Sequence, residues 1–109
     1  MLLKHKTSII TGCNRGIGLR ILETFAQNGA NVFACYRKKN DKIIDNCKNL
    51  SKKFGVKVYP VFFDLRNKEE LKNAFQEISN NSENIDVLVN NAGIIHTSLF
   101  QMTKIESYK

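Results

Sequence analysis

The sequence predicts an α/β fold, a parallel sheet wound on both faces by helices. Two observations predict it. Short apolar, β-branched runs alternate with stretches whose apolar residues recur at helical spacing. The segments between them are short, as they are where each helix returns the chain to the next parallel strand.

Lys6 to Thr11 is the first apolar run, and Gly12 ends it. Ile17 to Asn28 follows as a helix, with Ile17, Ile21, Leu22, Phe25 and Ala26 at helical spacing and Gly29 as its stop. Val32 to Tyr36 is a second buried strand. Asn40 or Asp41 can cap the next helix, whose apolar face is Ile43, Ile44, Cys47, Leu50 and Phe54, and Gly55 closes it. Val56 to Phe63 is the third strand and ends at Asp64. Pro60 lies inside it and has no N–H for a ladder, which puts this strand at the sheet edge. Asn67 with Glu70 resembles a capping box, and the helix it opens turns Leu71, Ala74, Phe75 and Ile78 to one side before Asn80-Asn81-Ser82. Ile85 to Val89 is a fourth apolar strand, followed by Asn90-Asn91-Ala92-Gly93.

Right-handed crossovers turn this β-α-β-α-β-α-β order into a doubly wound parallel sheet of the Rossmann type, with strands in the order 3-2-1-4. The edge position argued from Pro60 agrees with that order independently. Beyond it, Ile94 to Phe100 reads as an apolar loop, and Thr103 with Glu106 can open a further helix that stops at Lys109.

The chain has 109 residues, enough for one small domain, with 42% hydrophobic and 25% charged residues. No apolar run reaches the length of a membrane span, and the first residues do not read as a signal peptide, so a cytoplasmic protein is expected. Cys13, Cys35 and Cys47 make an odd count without a C-x-x-C pair, so neither a disulfide framework nor a metal site is expected. The formal charge is +7, but the lysines are dispersed and no aromatic-interleaved basic stripe occurs, so nucleic acid is not an expected partner.

The chemistry concentrates in Thr11-Gly12-Cys13-Asn14-Arg15-Gly16-Ile17-Gly18, between the first strand and the first helix. A glycine turn in that place lets a backbone approach a pyrophosphate and aims helix N–H groups at it. Gly12 lets the chain leave the strand tightly, Gly16 opens the helix, and Gly18 permits close packing of helix on strand. A dinucleotide-binding unit is therefore expected.

With these residues the chain resembles the short-chain dehydrogenase/reductase family. That family's T-G-x-x-x-G-I-G motif matches Thr11 to Gly18, its N-N-A-G motif matches Asn90 to Gly93, and its Asp after the third strand matches Asp64. The resemblance covers nearly all of this chain but only the first half of a typical member. It implies that Gly12, Asn14, Arg15, Gly16, Ile17 and Gly18 line the cofactor phosphates and adenosine ribose. It implies that Asp64 accepts a hydrogen bond from the adenine amino group, with the Leu65 backbone beside it. Asn90, Ala92 and Gly93 would follow the fourth strand toward the nicotinamide-side ribose. Asn91 has two open roles, one beside that ribose and one as a lock between strands.

Cofactor choice follows from charge. NAD sites place an acid near the end of the second strand, for the ribose 2′-OH. This chain has Tyr36-Arg37-Lys38 there and no acid until Asp41. Arg37 can pair with a 2′-phosphate in bidentate fashion, and Arg15 can reach it from the glycine turn, so NADP is expected.

Residues 1–109 thus read as the NADP-binding half of a Rossmann domain. The family's catalytic Asn, Ser, Tyr and Lys would lie beyond Lys109, so these residues alone should not catalyse a reaction. Ser107-Tyr108-Lys109 is not that set, because neighbouring helix residues diverge by about 100° whereas the family's Tyr and Lys stand four apart on one face. His96 in the loop after Gly93 carries no assigned role. The resemblance implies hydride transfer to a carbonyl, with a 3-oxoacyl thioester on acyl carrier protein as the preferred substrate and a sugar or polyol as alternative. It also implies a homo-oligomeric parent. A non-catalytic NADPH sensor and a basic RNA-binding protein are the other function classes open at this point.

Overall fold

The computed structural model describes residues 2–14, 16–82 and 84–91. The elements alternate without exception: β1 (Thr7–Thr11), α1 (Gly16–Gln27), β2 (Asn31–Tyr36), α2 (Asp41–Phe54), β3 (Val58–Phe62), α3 (Lys68–Asn81) and β4 (Val87–Val89). The four strands are parallel and ordered β3-β2-β1-β4, the truncated Rossmann arrangement expected from the chain order. Among the described residues β3 bonds only to β2, with Pro60 opposite Ala34, so the proline stands on an edge strand where its missing N–H costs little.

Alternation along the strands divides the core into two layers. On β2, Val32, Ala34 and Tyr36 face α1 and α2, where they meet Leu22, Ala26, Cys47 and Leu50. Phe33 and Cys35 point the other way, onto Leu71, Ala74, Phe75 and Ile78 of α3. All four α3 residues of the expected apolar face are buried. Both faces of the sheet are therefore covered, which accounts for strands that read as continuous apolar runs.

Three expectations need correction. The first concerns Ile17, which continues the apolar spacing of α1 but is 71% exposed at its start while Leu22 and Ala26 are buried. The second concerns strand length. Ile85 and Asp86 lie outside β4, because the Asp86 carboxylate accepts from the Thr7 N–H (2.9 Å) while the Asp86 N–H bonds the Thr7 carbonyl (2.8 Å). A side chain there takes a place that a ladder carbonyl would otherwise fill. β3 likewise begins at Val58 and not at Val56, whose N–H is drawn to the Ser51 carbonyl at the end of α2.

The third correction concerns the capping box. Asn67 does cap α3, its Oδ1 accepting from the N–H groups of Glu69 and Glu70, each at 3.1 Å. The reciprocal arm is rerouted. The Asn67 N–H is already bonded to the Asp64 carbonyl, and Glu70 Oε1 accepts instead from the Asp64 N–H at 3.3 Å. That rerouting ties the end of β3 to α3 and steadies Asp64. Asn40 caps α2 through the Lys42 N–H at 2.7 Å.

Candidate cofactor site

The expected site residues that are described gather at one edge of the sheet, the carboxyl ends of the strands. Gly12 and Asn14 lie in the turn after β1, and Gly16, Ile17 and Gly18 open α1. Arg37 follows β2, Asp64 and Leu65 follow β3, and Asn90 and Asn91 follow β4. Arg15, Ala92, Gly93, His96 and Ser107-Tyr108-Lys109 lie outside the described residues.

The turn is built so that only glycine fits in it. Gly12 and Gly16 adopt φ of 67° and 63°, the left-handed region that a Cβ disfavours. A Cβ on Gly18 would stand 1.9 Å from the Gly12 carbonyl oxygen and 2.6 Å from Asn91 Nδ2. α1 therefore lies directly on the turn. A Cβ on Gly16, by contrast, would meet nothing within 4 Å. The backbone there faces open space, and the first turn of α1 holds no acidic residue. An anion could approach these amides without repulsion, helped by the helix dipole. The turn thus fits a diphosphate.

Asn90 and Asn91 fasten the end of β4 to the same turn. Thr11 Oγ1 donates to Asn90 Oδ1 (3.3 Å) and accepts from the Asn91 N–H (3.0 Å). Asn91 Nδ2 donates to the Gly12 carbonyl at 3.3 Å. Of the two roles open for Asn91, the strand-locking one is visible in these bonds.

A cavity of about 240 Å³ opens between the ends of β1, β2 and β3, lined by Thr11, Gly12, Cys35, Tyr36, Arg37, Phe63, Asp64, Leu65 and Arg66. Its walls are mostly apolar and its rim is charged, a combination suited to a flat heteroaromatic ring with polar edges. Asp64 is the anionic member of the rim. Its Oδ1 accepts from the Arg66 N–H (3.0 Å) and Nε (3.3 Å), and its Oδ2 from Arg66 Nη2 (3.3 Å). Arg37 Nη2 stands 3.9 Å from the same Oδ2. The Arg66 backbone N–H and then its guanidinium, aided by Arg37, hold the Asp64 carboxyl below its usual range, so it is ionised at neutral pH. A second cleft, about 490 Å³, runs between the turn and α2 and includes Asn14, Lys42 and Asn46.

Sequence reasoning passed over Arg66 and Lys42. Arg66 had a usable signal, because an Asp whose side chain bonds the N–H two residues on is a common turn device. Lys42 had none, since it is one of many lysines.

The three cysteines are free and buried. Cys13 packs inside the turn, its thiol donating to the Ile10 carbonyl at 3.1 Å, and burial pushes its pKa up to about 12. Burial likewise raises the Cys35 and Cys47 thiols, and Cys47 sits 3.5 Å from the Tyr36 hydroxyl. These are packing groups, not nucleophiles. Among the described residues no group of three or more His, Cys, Asp or Glu could hold a metal ion, and no helix is long and apolar enough to cross a membrane.

The comparisons agree with this geometry. The chain is 38% identical over 98 residues to the 3-oxoacyl-[acyl-carrier-protein] reductase FabG of Aquifex aeolicus, covering 90% of this chain and 39% of that protein. It is 34% identical over 96 residues to a probable NADP-dependent mannitol dehydrogenase of Yarrowia lipolytica, covering 88% of this chain and 34% of the other. The fold superposes on L-sorbose reductase from Gluconobacter frateurii, crystallised with NADPH and L-sorbose, with a TM-score of 0.75 and 35% identity over 84% of this chain and 35% of that one. The chain spans roughly two fifths of the length of such relatives (39% and 42% for two FabG proteins). A sequence model of the short chain dehydrogenase family matches residues 6–109, and with the turn, the sheet order and these relatives in agreement, the chain belongs to that family of oxidoreductases.

Proposed function

We propose that residues 1–109 are the NADP-binding half of a short-chain oxidoreductase that reduces a carbonyl group. The observation that carries the cofactor choice is Arg37. It stands on the rim of the cavity, 64% exposed, at the end of the strand where an NAD site would present an acid. A carboxylate there would repel a 2′-phosphate, whereas a guanidinium pairs with one through two parallel bonds.

In this reading Gly12, Asn14, Gly16, Ile17 and Gly18 hold the diphosphate side, together with Arg15. Arg37 holds the 2′-phosphate. Asp64 and Leu65 hold the adenine, and Asn90, Asn91, Ala92 and Gly93 approach the nicotinamide-side ribose. The exposed Ile17 offers an apolar surface against which the cofactor can lie. The bound nicotinamide supplies a hydride carrier. None of the residues assigned in this reading is a proton donor for the reaction.

The preferred substrate is a 3-oxoacyl thioester on acyl carrier protein, supported by the FabG relatives. A sugar or polyol is the second reading, favoured by the mannitol dehydrogenase and the sorbose reductase. A cytoplasmic, homo-oligomeric protein completes the proposal. The test is a fluorescence titration with NADPH and NADH. Saturable binding that prefers NADPH is expected, and Arg37→Asp should reverse the preference. Failure to bind either nucleotide would remove the whole reading.

A further inference from the structure

Asp64 stands between two guanidiniums that hold it unequally. Arg66 makes three bonds to it, through its backbone N–H (3.0 Å), Nε (3.3 Å) and Nη2 (3.3 Å). Arg37 comes from a different strand end and makes one long approach, at 3.9 Å. The Arg66 contacts are local, two residues along the chain, so they order little backbone that is not already ordered. The asymmetry matters because Arg37 carries a single charge. What it gives to Asp64 it withholds from a phosphate. A carboxylate already answered by a neighbouring guanidinium makes the weaker claim on a second one.

We propose that Arg66 is a specificity-determining positioning residue, which satisfies the Asp64 carboxylate and so leaves Arg37 free to take the cofactor's 2′-phosphate. The inference rests on the NADP reading above. Arg66 itself need not touch the phosphate. Its guanidinium also holds the carboxylate in place, with Nε on Oδ1 and Nη2 on Oδ2. Without Arg66, the same carboxylate would draw Arg37 across the cavity rim.

The experiment is isothermal calorimetry on the full chain with two adenine-side probes, adenosine 2′,5′-bisphosphate and adenosine 5′-monophosphate. Their affinity ratio isolates the 2′-phosphate. Arg66→Gln should lower that ratio about two- to fivefold, the worth of one exposed ion pair. The Arg66 side chain is 70% exposed, so this variant should keep the fold, which its melting temperature checks. In an Asp64→Asn background, Arg66→Gln should leave the ratio unchanged, because no carboxylate remains to divert Arg37. A merely structural role for Arg66 would move both affinities together and leave the ratio alone. An unchanged ratio in the single variant overturns the proposal. An equal fall in both backgrounds also overturns it, since Arg66 would then attract the phosphate directly. If the wild-type chain binds the two probes equally, the NADP reading itself fails and this inference falls with it.

Discussion

A single methyl group at Gly18 tests whether helix α1 truly rests on the glycine turn. In Gly18→Ala the new Cβ would lie 1.9 Å from the Gly12 carbonyl oxygen and 2.8 Å from its carbon. Both are backbone atoms and cannot swing aside as a flexible side chain would. Relief requires helix and turn to separate by about 1 Å, an overpacking strain of about 1–3 kcal/mol. The Cβ would also stand 2.6 Å from Asn91 Nδ2, which now bonds the Gly12 carbonyl. Losing that bond adds about 1 kcal/mol. The expected destabilisation is therefore about 2–4 kcal/mol, a large share of the stability of a small domain. Urea denaturation followed by circular dichroism reads it as a midpoint lowered by about 1–3 M. A midpoint within about 0.3 M of wild type, with unchanged slope, would refute the close packing of α1 on the turn.

Two further predictions concern the left-handed glycines and the buried thiols. Gly16 and Gly55 share a left-handed φ (63° and 64°) and open space where a Cβ would stand, so each Gly→Ala change should cost about 1–2 kcal/mol. Only Gly16→Ala should also weaken NADPH binding, by about tenfold, because Gly55 caps α2 away from the cavity. Equal nucleotide affinity in the two variants would count against a diphosphate at the turn. For the thiols, a Cys13 pKa raised from 9.0 to about 12 lowers its thiolate population about a thousandfold near pH 8. The native protein should resist iodoacetamide there, while unfolding in guanidinium exposes all three cysteines to alkylation. Rapid labelling of native Cys13, mapped by mass spectrometry, would contradict its burial.

Most of the fold was legible because its signals are local and redundant. Pro60 alone places β3 at the edge, and the helical spacing of Leu71, Ala74, Phe75 and Ile78 alone gives the buried face of α3. Errors arose where one residue type serves two demands. Ile17 continues the apolar spacing of α1, yet as the second residue of that helix it stands out into solvent beside the turn. Asp86 reads as part of an apolar run, yet its carboxylate replaces a ladder contact. Glu70 completes a capping box in spacing, but the donor it was meant to meet is already engaged. In the site, the backbone-determined positions were readable because only glycine fits them. The turn that Asp64 makes with the Arg66 N–H was readable in principle, but the return of the Arg66 guanidinium onto that carboxylate was not, because arginine is common on surfaces.

Stability and the proposed nucleotide binding rest on the same few contacts. The Gly12 carbonyl accepts the Asn91 amide, and the same oxygen is what a Cβ at position 18 would strike. Thr11 receives the Asn91 N–H and reaches Asn90, so the end of β4 and the end of β1 are held as one piece. A turn loosened to relieve any of these contacts would also lose the aim of the α1 amides, since those amides are pointed by the packing of the helix on the turn. The relatives named for an acyl carrier thioester, mannitol and sorbose all align with these same residues. In the proposed reading, selectivity between nucleotides is a matter of charge at the cavity rim. A substitution at Arg37 or Arg66 should shift the ratio of the two nucleotide affinities while leaving the packed turn intact, and one at Gly12 or Gly18 should weaken both nucleotides together.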